Sequence, residues 1–320
     1  MGSHATVSPQ PHVPASGVWC PAVTFFNHGT DSLDLDSQSK YFAYLSTTGL
    51  AGLVILGTNS EAFLLTREER AQLIATARAA VGPDFPLMAG VGAHSTKQTL
   101  ELAHDAAAAG ANYLLATNMN VVKRFFSEVA AKAPLPIVVY NFPGVCNGVD
   151  MDSDTIAAIA KESASSHPSG RSNVVGVKLT CGSVGKITRL AAELAPEDFA
   201  TFGGQSDFLI GGLAAGSVGC IAAFANVFPK VASRIYALYQ KGQVDEAVKL
   251  QRKAALAESP IKSGIASTKH AVACYSAPLA GIPDAAANLA PRHPYEEVGE
   301  GPKKAIREVM AEVAEIEKSL

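Results

Sequence analysis

Charged residues are scarce in this chain of 320 residues, at 17% against the roughly 25% typical of globular domains. Apolar residues reach 48%, which excludes intrinsic disorder, and 27 glycines with 18 prolines exclude a long coiled coil. Long apolar runs are also missing, because the uncharged stretch 208–229 is interrupted by several glycines and by Asn226. We therefore expect no membrane span there, and predict a buried helix followed by a buried strand.

Neither sign of charge dominates, since 26 basic and 29 acidic residues give a net charge of -3. No basic block stands out, which argues against nucleic acid or an anionic membrane as a partner. The five cysteines are widely spaced without a C-x-x-C pair, which indicates reduced thiols. The eight histidines lack the H-x-x-x-H and H-E-x-x-H spacings, so we expect no dedicated metal site.

The first sixteen residues are polar and rich in proline and serine. They lack the apolar region of a signal peptide, and no arginine precedes Arg67, so we expect no transit peptide either. Together with the unpaired cysteines, this predicts a cytoplasmic protein with a flexible tail over 1–16.

From residue 18 onward, short apolar runs alternate with longer amphipathic ones. The short runs are too continuous for half-exposed strands and are typical of parallel strands buried on both faces. They span 20–25, 52–56, 86–89, 113–116, 137–140, 174–179, 199–202 and 217–222. Helical patterns lie between them, at a capping box opening on Thr66 and at 95–109, 152–161, 184–194 and 207–215. Eight strand-like runs with helical patterns between them favour a (β/α)8 TIM barrel, and a doubly wound open sheet is the second choice.

After residue 241 the strand-like runs stop. Helical patterns at 244–258, 263–275 and 302–320 predict helices that pack on the barrel. We therefore predict a flexible tail over 1–16, a catalytic (β/α)8 barrel over 17–240 and a C-terminal helical appendix over 241–320.

Reactive groups of a barrel lie at the carboxyl ends of its strands, and Lys178 stands out there. A lysine inside the apolar run 174–179 is costly unless it has a partner or a task. Shielding from water disfavours the ammonium, and a neutral amine can attack a ketone to form an iminium. A lysine whose amine reaches water at the strand end is the plainer alternative, and position alone does not decide between them.

Two further strand ends carry hydroxyl groups. Tyr140 can relay protons if a neighbouring hydroxyl such as Thr58 orients it, although a packed core tyrosine is the more frequent case. The turn 57–60 can hold a carboxylate through its backbone N–H groups and the side chains of Asn59 and Ser60. Its plainer alternative is an ordinary connection between strand and helix.

The segment 90–95 imitates a dinucleotide-binding motif, but its third glycine is replaced by Ser95. No acidic residue ends a following strand at the required distance, so the sequence gives no site for a nicotinamide cofactor.

Taken together, these strand ends resemble the dihydrodipicolinate synthase / N-acetylneuraminate lyase family, the class I pyruvate aldolases. Each motif is weak alone, but their order and spacing together are specific, and the resemblance spans about residues 18–239. The motifs lie at 24–26, 57–61, 89–92, 140–144 and 176–178, with supporting patterns at 203–207 and 216–229.

The resemblance implies a role for each candidate residue. Lys178 forms the iminium, Tyr140 relays protons, and Thr58 hydrogen-bonds Tyr140. Asn59 and Ser60 hold the pyruvyl carboxylate, Ile221 lines the pocket with its backbone carbonyl, and Thr180 and Gly203 are further substrate-binding residues. The covalent iminium implies that no metal or other cofactor is required. The implied partners are a keto acid, an aldehyde and further copies of the chain, as a dimer or homotetramer.

The chain departs from the family pattern in two places. Dihydrodipicolinate synthases carry an arginine shortly after the Tyr-Asn-x-Pro motif, but here the stretch 144–148 has none, and Val145 is apolar. That makes lysine-biosynthesis chemistry unfavourable. The loop at 117–121 is short and lacks the second tyrosine that the family offers to a neighbouring subunit.

The expected activity is cleavage of a 2-keto-3-deoxy-hexonate, with L-threo-3-deoxy-hexulosonate as the leading substrate in carbohydrate catabolism. This choice rests on likeness at 20–26 and 178–182. 4-Hydroxy-2-oxoglutarate aldolase is the next choice, then dihydrodipicolinate synthase or a Schiff-base dehydratase. A catalytically silent barrel that binds a keto acid is the alternative outside enzymes.

Overall fold

A computed structural model describes residues 12–117, 123–166 and 171–320 and shows a closed barrel of eight parallel strands. Around the barrel the order is β1-β10-β9-β8-β7-β6-β5-β4, and a small antiparallel hairpin, β2–β3, follows β1. The strands are β1 (Gly17–Pro21), β2 (Phe26–Asn27), β3 (Ser32–Leu33), β4 (Gly52–Ile55), β5 (Leu87–Gly90), β6 (Tyr113–Ala116), β7 (Ile137–Asn141), β8 (Val174–Leu179), β9 (Ala200–Gly203) and β10 (Gly219–Ile221). The predicted TIM barrel is confirmed, and the open sheet is excluded.

In the described part of the chain, the first eight helices alternate with the barrel strands and cover their outer faces, and three more follow them. They are α1 (Leu35–Ser46), α2 (Arg67–Val81), α3 (Thr96–Ala108), α4 (Lys123–Lys132), α5 (Ser153–Ser166), α6 (Val184–Glu193), α7 (Leu209–Ala214), α8 (Pro229–Gln240), α9 (Val244–Glu258), α10 (Ile265–Leu279) and α11 (Glu300–Ser319). The capping box at the start of α2 is present, with Thr66 accepting from the Glu69 N–H and the Glu69 carboxylate accepting from the Thr66 N–H.

The barrel interior is filled by alternate residues of the strands. Trp19 meets Tyr113 and Phe202 edge to face, with ring centroids 6.0 and 6.3 Å apart. The Trp19 indole N–H donates to the Ala15 carbonyl, and the Tyr113 hydroxyl donates to the Val13 carbonyl. Residues just before β1 therefore close the amino-terminal end of the barrel, and the opposite end stays open for a site.

The first strand is displaced from its predicted position at 20–25 and runs over Gly17–Pro21. Pairing with β4 ends at Pro21, and the Ala22 N–H makes the next bond to Val54. The apolar run continues to Phe25 because that ring packs outside the barrel against Tyr41. Apolar character alone therefore does not show where the strand leaves the sheet.

The three helices after residue 241 pack on one side of the barrel. α9 contacts α8 and α11, and α10 contacts the 3-10 turns Thr58–Ser60 and Ala223–Asn226 at two strand ends. This brings the C-terminal part of the chain to the open end of the barrel. No helix among the described residues is long and apolar enough to cross a bilayer.

Candidate active site

Lys178 and Tyr140 are neighbours across the ladder between β7 and β8. The Lys178 ammonium nitrogen lies 4.3 Å from the centroid of the Tyr140 ring, and the two residues are 3% and 6% exposed. An amine over an aromatic face at this distance is held by a cation–π contact. The amine therefore has a fixed position close to a phenol at the mouth of the barrel.

The Tyr140 hydroxyl has Thr58 as its neighbour on the other side, with the two oxygens 3.4 Å apart. This is a long hydrogen bond, of the kind that tightens when a substrate fills a site. Lys178, Tyr140 and Thr58 thus form a continuous row from three strand ends, as the sequence motifs predicted for their positions.

The 3-10 turn Thr58–Ser60 connects β4 to the next turn of the chain. The Ser60 N–H donates to the Gly57 carbonyl and the Glu61 N–H to the Thr58 carbonyl, at 3.1 and 3.0 Å. The first N–H groups of a helical turn have no acceptor inside it, and here they belong to Thr58 and Asn59. Both residues line the cavity that opens above Lys178 and Tyr140.

A cavity of about 290 Å³ opens above Lys178 and Tyr140. Strand ends line one side of it, with Thr58, Asn59, Phe142, Thr180, Gly204, Gln205 and Ala223. The end of α9, the turn after it and the start of α10 line the other side, with Glu258, Ile261, Lys262, Gly264, Ile265 and Thr268. The cavity therefore brings together five of the eight predicted site residues: Lys178, Tyr140, Thr58, Asn59 and Thr180.

Three predicted site residues do not line this cavity. The Ser60 hydroxyl donates to the Ala22 carbonyl at 2.5 Å and accepts from the Leu56 N–H, so it closes the turn from inside. Ile221 is fully buried in the barrel interior beside Tyr140, and Gly203 lies under the Phe208 ring. Their predicted contacts with substrate remain predictions.

Thr180 and Gly204 meet closely at the edge of the cavity. A side-chain carbon added at Gly204 would lie 2.1 Å from the Thr180 hydroxyl oxygen, so a larger residue does not fit. The Thr180 hydroxyl is buried and has no hydrogen-bond partner among the described residues. A buried hydroxyl without a partner is costly.

The turn that carries Thr58 is tied to the C-terminal helices through Glu61. Glu61 has a left-handed backbone (φ 55°), and its carboxylate accepts from Lys269 at 2.6 Å and from the Arg292 N–H at 2.7 Å. Both side chains of the Glu61–Lys269 pair are 0% exposed. Burial lowers the pKa of Lys269 to about 8, and Glu61 opposes this shift. The pair fixes the end of the turn.

A second cavity, of about 170 Å³, lies on the other side of Tyr140 and Thr58. Val145 and Arg70 line it, and the Arg70 guanidinium donates to the backbone carbonyls of Ala62 and Gly90. The arginine missing from the family pattern would face this space. The short loop at 117–121 falls largely outside the described residues, because 118–122 are not described.

Sequence reasoning missed the cavity wall supplied by Glu258, Lys262 and Thr268. The motifs marked strand ends only, and an amphipathic helical pattern does not reveal which strand end it covers. The break at Ser259–Pro260 between two predicted helices was the available signal for a loop at this place.

Two cysteines lie near Lys178 in the barrel wall. Burial holds the pKa of the Cys20 and Cys220 thiols well above their usual range, although the Lys178 charge opposes this. Neither thiol is therefore a competing nucleophile. No group of three or more His, Cys, Asp or Glu side chains in the described ranges is arranged to hold a metal ion.

Comparison with known proteins gives consistent matches over nearly the whole chain. A family model described as "Dihydrodipicolinate synthetase family" matches residues 14–311. A protein of Coccidioides immitis, provisionally named a mitochondrial 4-hydroxy-2-oxoglutarate aldolase, is 64% identical over 97% of this chain and 99% of its own. A relative of Emericella nidulans, with a provisional name for the same activity and compartment, is 38% identical over 97% and 98%. A protein of Hypocrea jecorina named L-threo-3-deoxy-hexylosonate aldolase is 34% identical over 95% and 98%.

Solved structures of the same family also match nearly the whole chain. The crystal structure of a dihydrodipicolinate synthase family protein from Coccidioides immitis has a TM-score of 0.90 and 62% identity, covering 97% of this chain and 99% of that one. A monomeric dihydrodipicolinate synthase variant has a TM-score of 0.82 and 26% identity, covering 96% and 99%.

The predicted cytoplasmic location is wrong. Two of the relatives above are named mitochondrial, which points to the mitochondrion instead. The prediction rested on the composition of the first sixteen residues and on the unpaired cysteines, and these two features do not decide the compartment.

Proposed function

Because the chain belongs to the dihydrodipicolinate synthetase family and is a carbon–carbon lyase of the class I aldolase type, we propose that it cleaves 4-hydroxy-2-oxoglutarate. The products of this cleavage are pyruvate and glyoxylate. The observation that carries the proposal is the row Lys178–Tyr140–Thr58 at the mouth of the barrel, in a chain 64% identical to a relative named for this activity.

The reaction proceeds through a covalent bond to Lys178. Its neutral amine attacks the C2 ketone, and loss of water gives an iminium. A base removes the proton of the C4 hydroxyl, the C3–C4 bond breaks, and its electron pair moves to the iminium nitrogen. Glyoxylate leaves, and the remaining enamine is protonated at C3. Water then releases pyruvate and the free amine, so no metal or added cofactor is needed.

Tyr140 is placed to move these protons. Its ring lies against the Lys178 amine, and its hydroxyl is 3.4 Å from the Thr58 hydroxyl, which orients it. The N–H groups of Thr58 and Asn59 would hold the pyruvyl carboxylate at the same end of the cavity. The sequence prediction for this turn also included the side chains of Asn59 and Ser60.

Cleavage of L-threo-3-deoxy-hexulosonate, the leading expectation from sequence, is the second candidate. It is supported by the relative named for that activity, at 34% identity. The 64% identical relative carries the other name and makes the oxoglutarate substrate the better supported choice.

The two candidates are separated by their specificity constants. We expect a higher kcat/KM for 4-hydroxy-2-oxoglutarate than for L-threo-3-deoxy-hexulosonate, with pyruvate release followed in both cases. A clear preference for the sugar acid would overturn the proposed substrate and leave the lyase assignment intact.

Tyr140→Phe removes only a hydroxyl and keeps the ring that packs against Lys178 and Phe142. We expect kcat to fall on the order of 10²-fold or more, as for a lost proton relay, with little change in unfolding midpoint. Tyr113→Phe is the matched control, since that hydroxyl contacts Val13 at the closed end of the barrel. Unchanged turnover in Tyr140→Phe would reduce this residue to a packing role.

We keep the expectation of a homo-oligomer, dimer or tetramer, as a proposal. One structural neighbour is a monomeric variant, so the fold does not require association. Light scattering decides the matter, and a monomer at assay concentration would contradict the proposal.

A further inference from the structure

The cavity contains a second ammonium group that the reaction described above does not use. Lys262, in the 3-10 turn Ser259–Ser263 between α9 and α10, lines it together with Lys178. Among the described residues that line this cavity, these two lysines are the cationic side chains. The Lys262 side chain is 38% exposed, so it lies at the rim.

Lys262 is held in place by the loop that follows β9. Its amine donates to the Gln205 side-chain oxygen at 2.8 Å and forms an ion pair with Asp207. An ammonium has three N–H donors, and these contacts use two of them. The third remains for a ligand in the cavity, and the first two fix the direction of the side chain.

Two acidic side chains, Asp207 and Glu258, lie close to Lys262. Glu258 lines the same cavity, where its carboxyl accepts from the Ser206 hydroxyl at 2.7 Å. Burial raises the pKa of Glu258, while the Ser206 hydrogen bonds oppose this shift. Both acidic groups already have partners, Asp207 in Lys262 and Glu258 in Ser206.

Thr180 also lines this cavity. The Thr180 hydroxyl, buried and without a partner among the described residues, comes two positions after Lys178 along the chain. A carboxylate bound between Lys262 and Thr180 would accept from both groups, and charge-assisted bonds of this kind are the stronger ones.

We propose that Lys262 is the specificity-determining cation that binds the distal carboxylate of the substrate, with the Thr180 hydroxyl as a second donor. The inference rests on the proposed function, because 4-hydroxy-2-oxoglutarate has a carboxylate at C5. A 3-deoxy-hexulosonate has only neutral hydroxyl groups in the half that leaves as aldehyde. Lys262 therefore favours the dicarboxylate, while Val145 brings no charge to the neighbouring cavity.

The kinetic test compares two substrates that differ at the distal group, 4-hydroxy-2-oxoglutarate and 4-hydroxy-2-oxopentanoate. We expect Lys262→Met to lower kcat/KM for the dicarboxylate by about 10- to 100-fold, mainly through KM, with little effect on the methyl analogue. Lys262→Arg should retain most of the activity, because it keeps the charge. Lys304→Met, which removes an exposed charge on α11, is the matched control.

A binding test without turnover keeps the inference separate from the choice of natural substrate. Borohydride trapping of 2-oxoglutarate and 2-oxopentanoate measures iminium formation with and without a distal carboxylate. We expect Lys262→Met to raise the half-saturating concentration of 2-oxoglutarate about 10-fold or more and to leave 2-oxopentanoate unchanged. Equal shifts for both ligands, or no shift, would overturn the role of Lys262. A wild type that traps both but does not cleave 4-hydroxy-2-oxoglutarate would overturn the proposed function alone.

Discussion

Lys178→Met is expected to abolish the borohydride-stable pyruvyl adduct and to reduce cleavage on the order of 10⁶-fold, as in enzymes that lose their covalent nucleophile. Methionine fills nearly the same volume in the buried run of β8 but has no amine to attack a ketone. The adduct is measured by intact mass after reduction, and cleavage by pyruvate release. Circular dichroism confirms that the variant is folded.

The cavity itself supplies the sharpest control for this experiment. Lys262 is the other amine that lines the cavity. A trapped adduct that survives in Lys178→Met and disappears in Lys262→Met would show that the Schiff base forms on Lys262 instead. Lys97→Met removes a mostly exposed lysine on α3 and should behave as wild type. Retention of the adduct in Lys178→Met is the result that contradicts the assignment.

Lys269→Met is expected to lower the free energy of unfolding by about 3–5 kcal/mol. The variant leaves the Glu61 carboxylate fully buried with the Arg292 N–H as its remaining donor and without a counter-ion. It also removes the donor to the Ala290 carbonyl, which lies 3.0 Å from the Lys269 amine. Urea unfolding followed by circular dichroism measures the loss.

An exposed pair with the same geometry provides the comparison. Lys40 and Asp36 on α1 are 2.7 Å apart, against 2.6 Å for Lys269 and Glu61, but both of their side chains are solvent-exposed. Lys40→Met should therefore cause no measurable loss, because water screens such pairs. The double variant Glu61→Gln with Lys269→Met should recover part of the stability, since no buried charge remains. A loss in Lys269→Met as small as in Lys40→Met would contradict the argument.

The strands of the barrel were predictable where the sequence is locally decisive. The run that contains Lys178 became β8 with the predicted bounds, Val174–Leu179, because a strand buried on both faces is apolar throughout. β6, at Tyr113–Ala116, matches for the same reason. The bounds of the first strand do not match the predicted ones, because the chain stays apolar beyond Pro21 after it leaves the sheet.

At the site, prediction from the sequence was limited for a different physical reason. The Ser60 side chain was predicted to face substrate, and its hydroxyl instead satisfies backbone groups of Ala22 and Leu56. A turn of this length can direct a short hydroxyl either inward or outward, and the residue pattern does not record which. Lys262 was missed because its place over the cavity depends on the packing of α9 and α10, a contact between distant parts of the chain.

The two walls of the cavity come from separate parts of the chain. The groups assigned to bond cleavage project from barrel strand ends, whereas the opposite wall is the continuous stretch 258–268. Substitutions in that short stretch can change which aldehyde is accepted while the iminium chemistry stays as it is. The substrate specificity of this molecule can therefore change while Lys178, Tyr140 and Thr58 stay the same. A mutant library confined to that stretch is the natural way to alter the specificity.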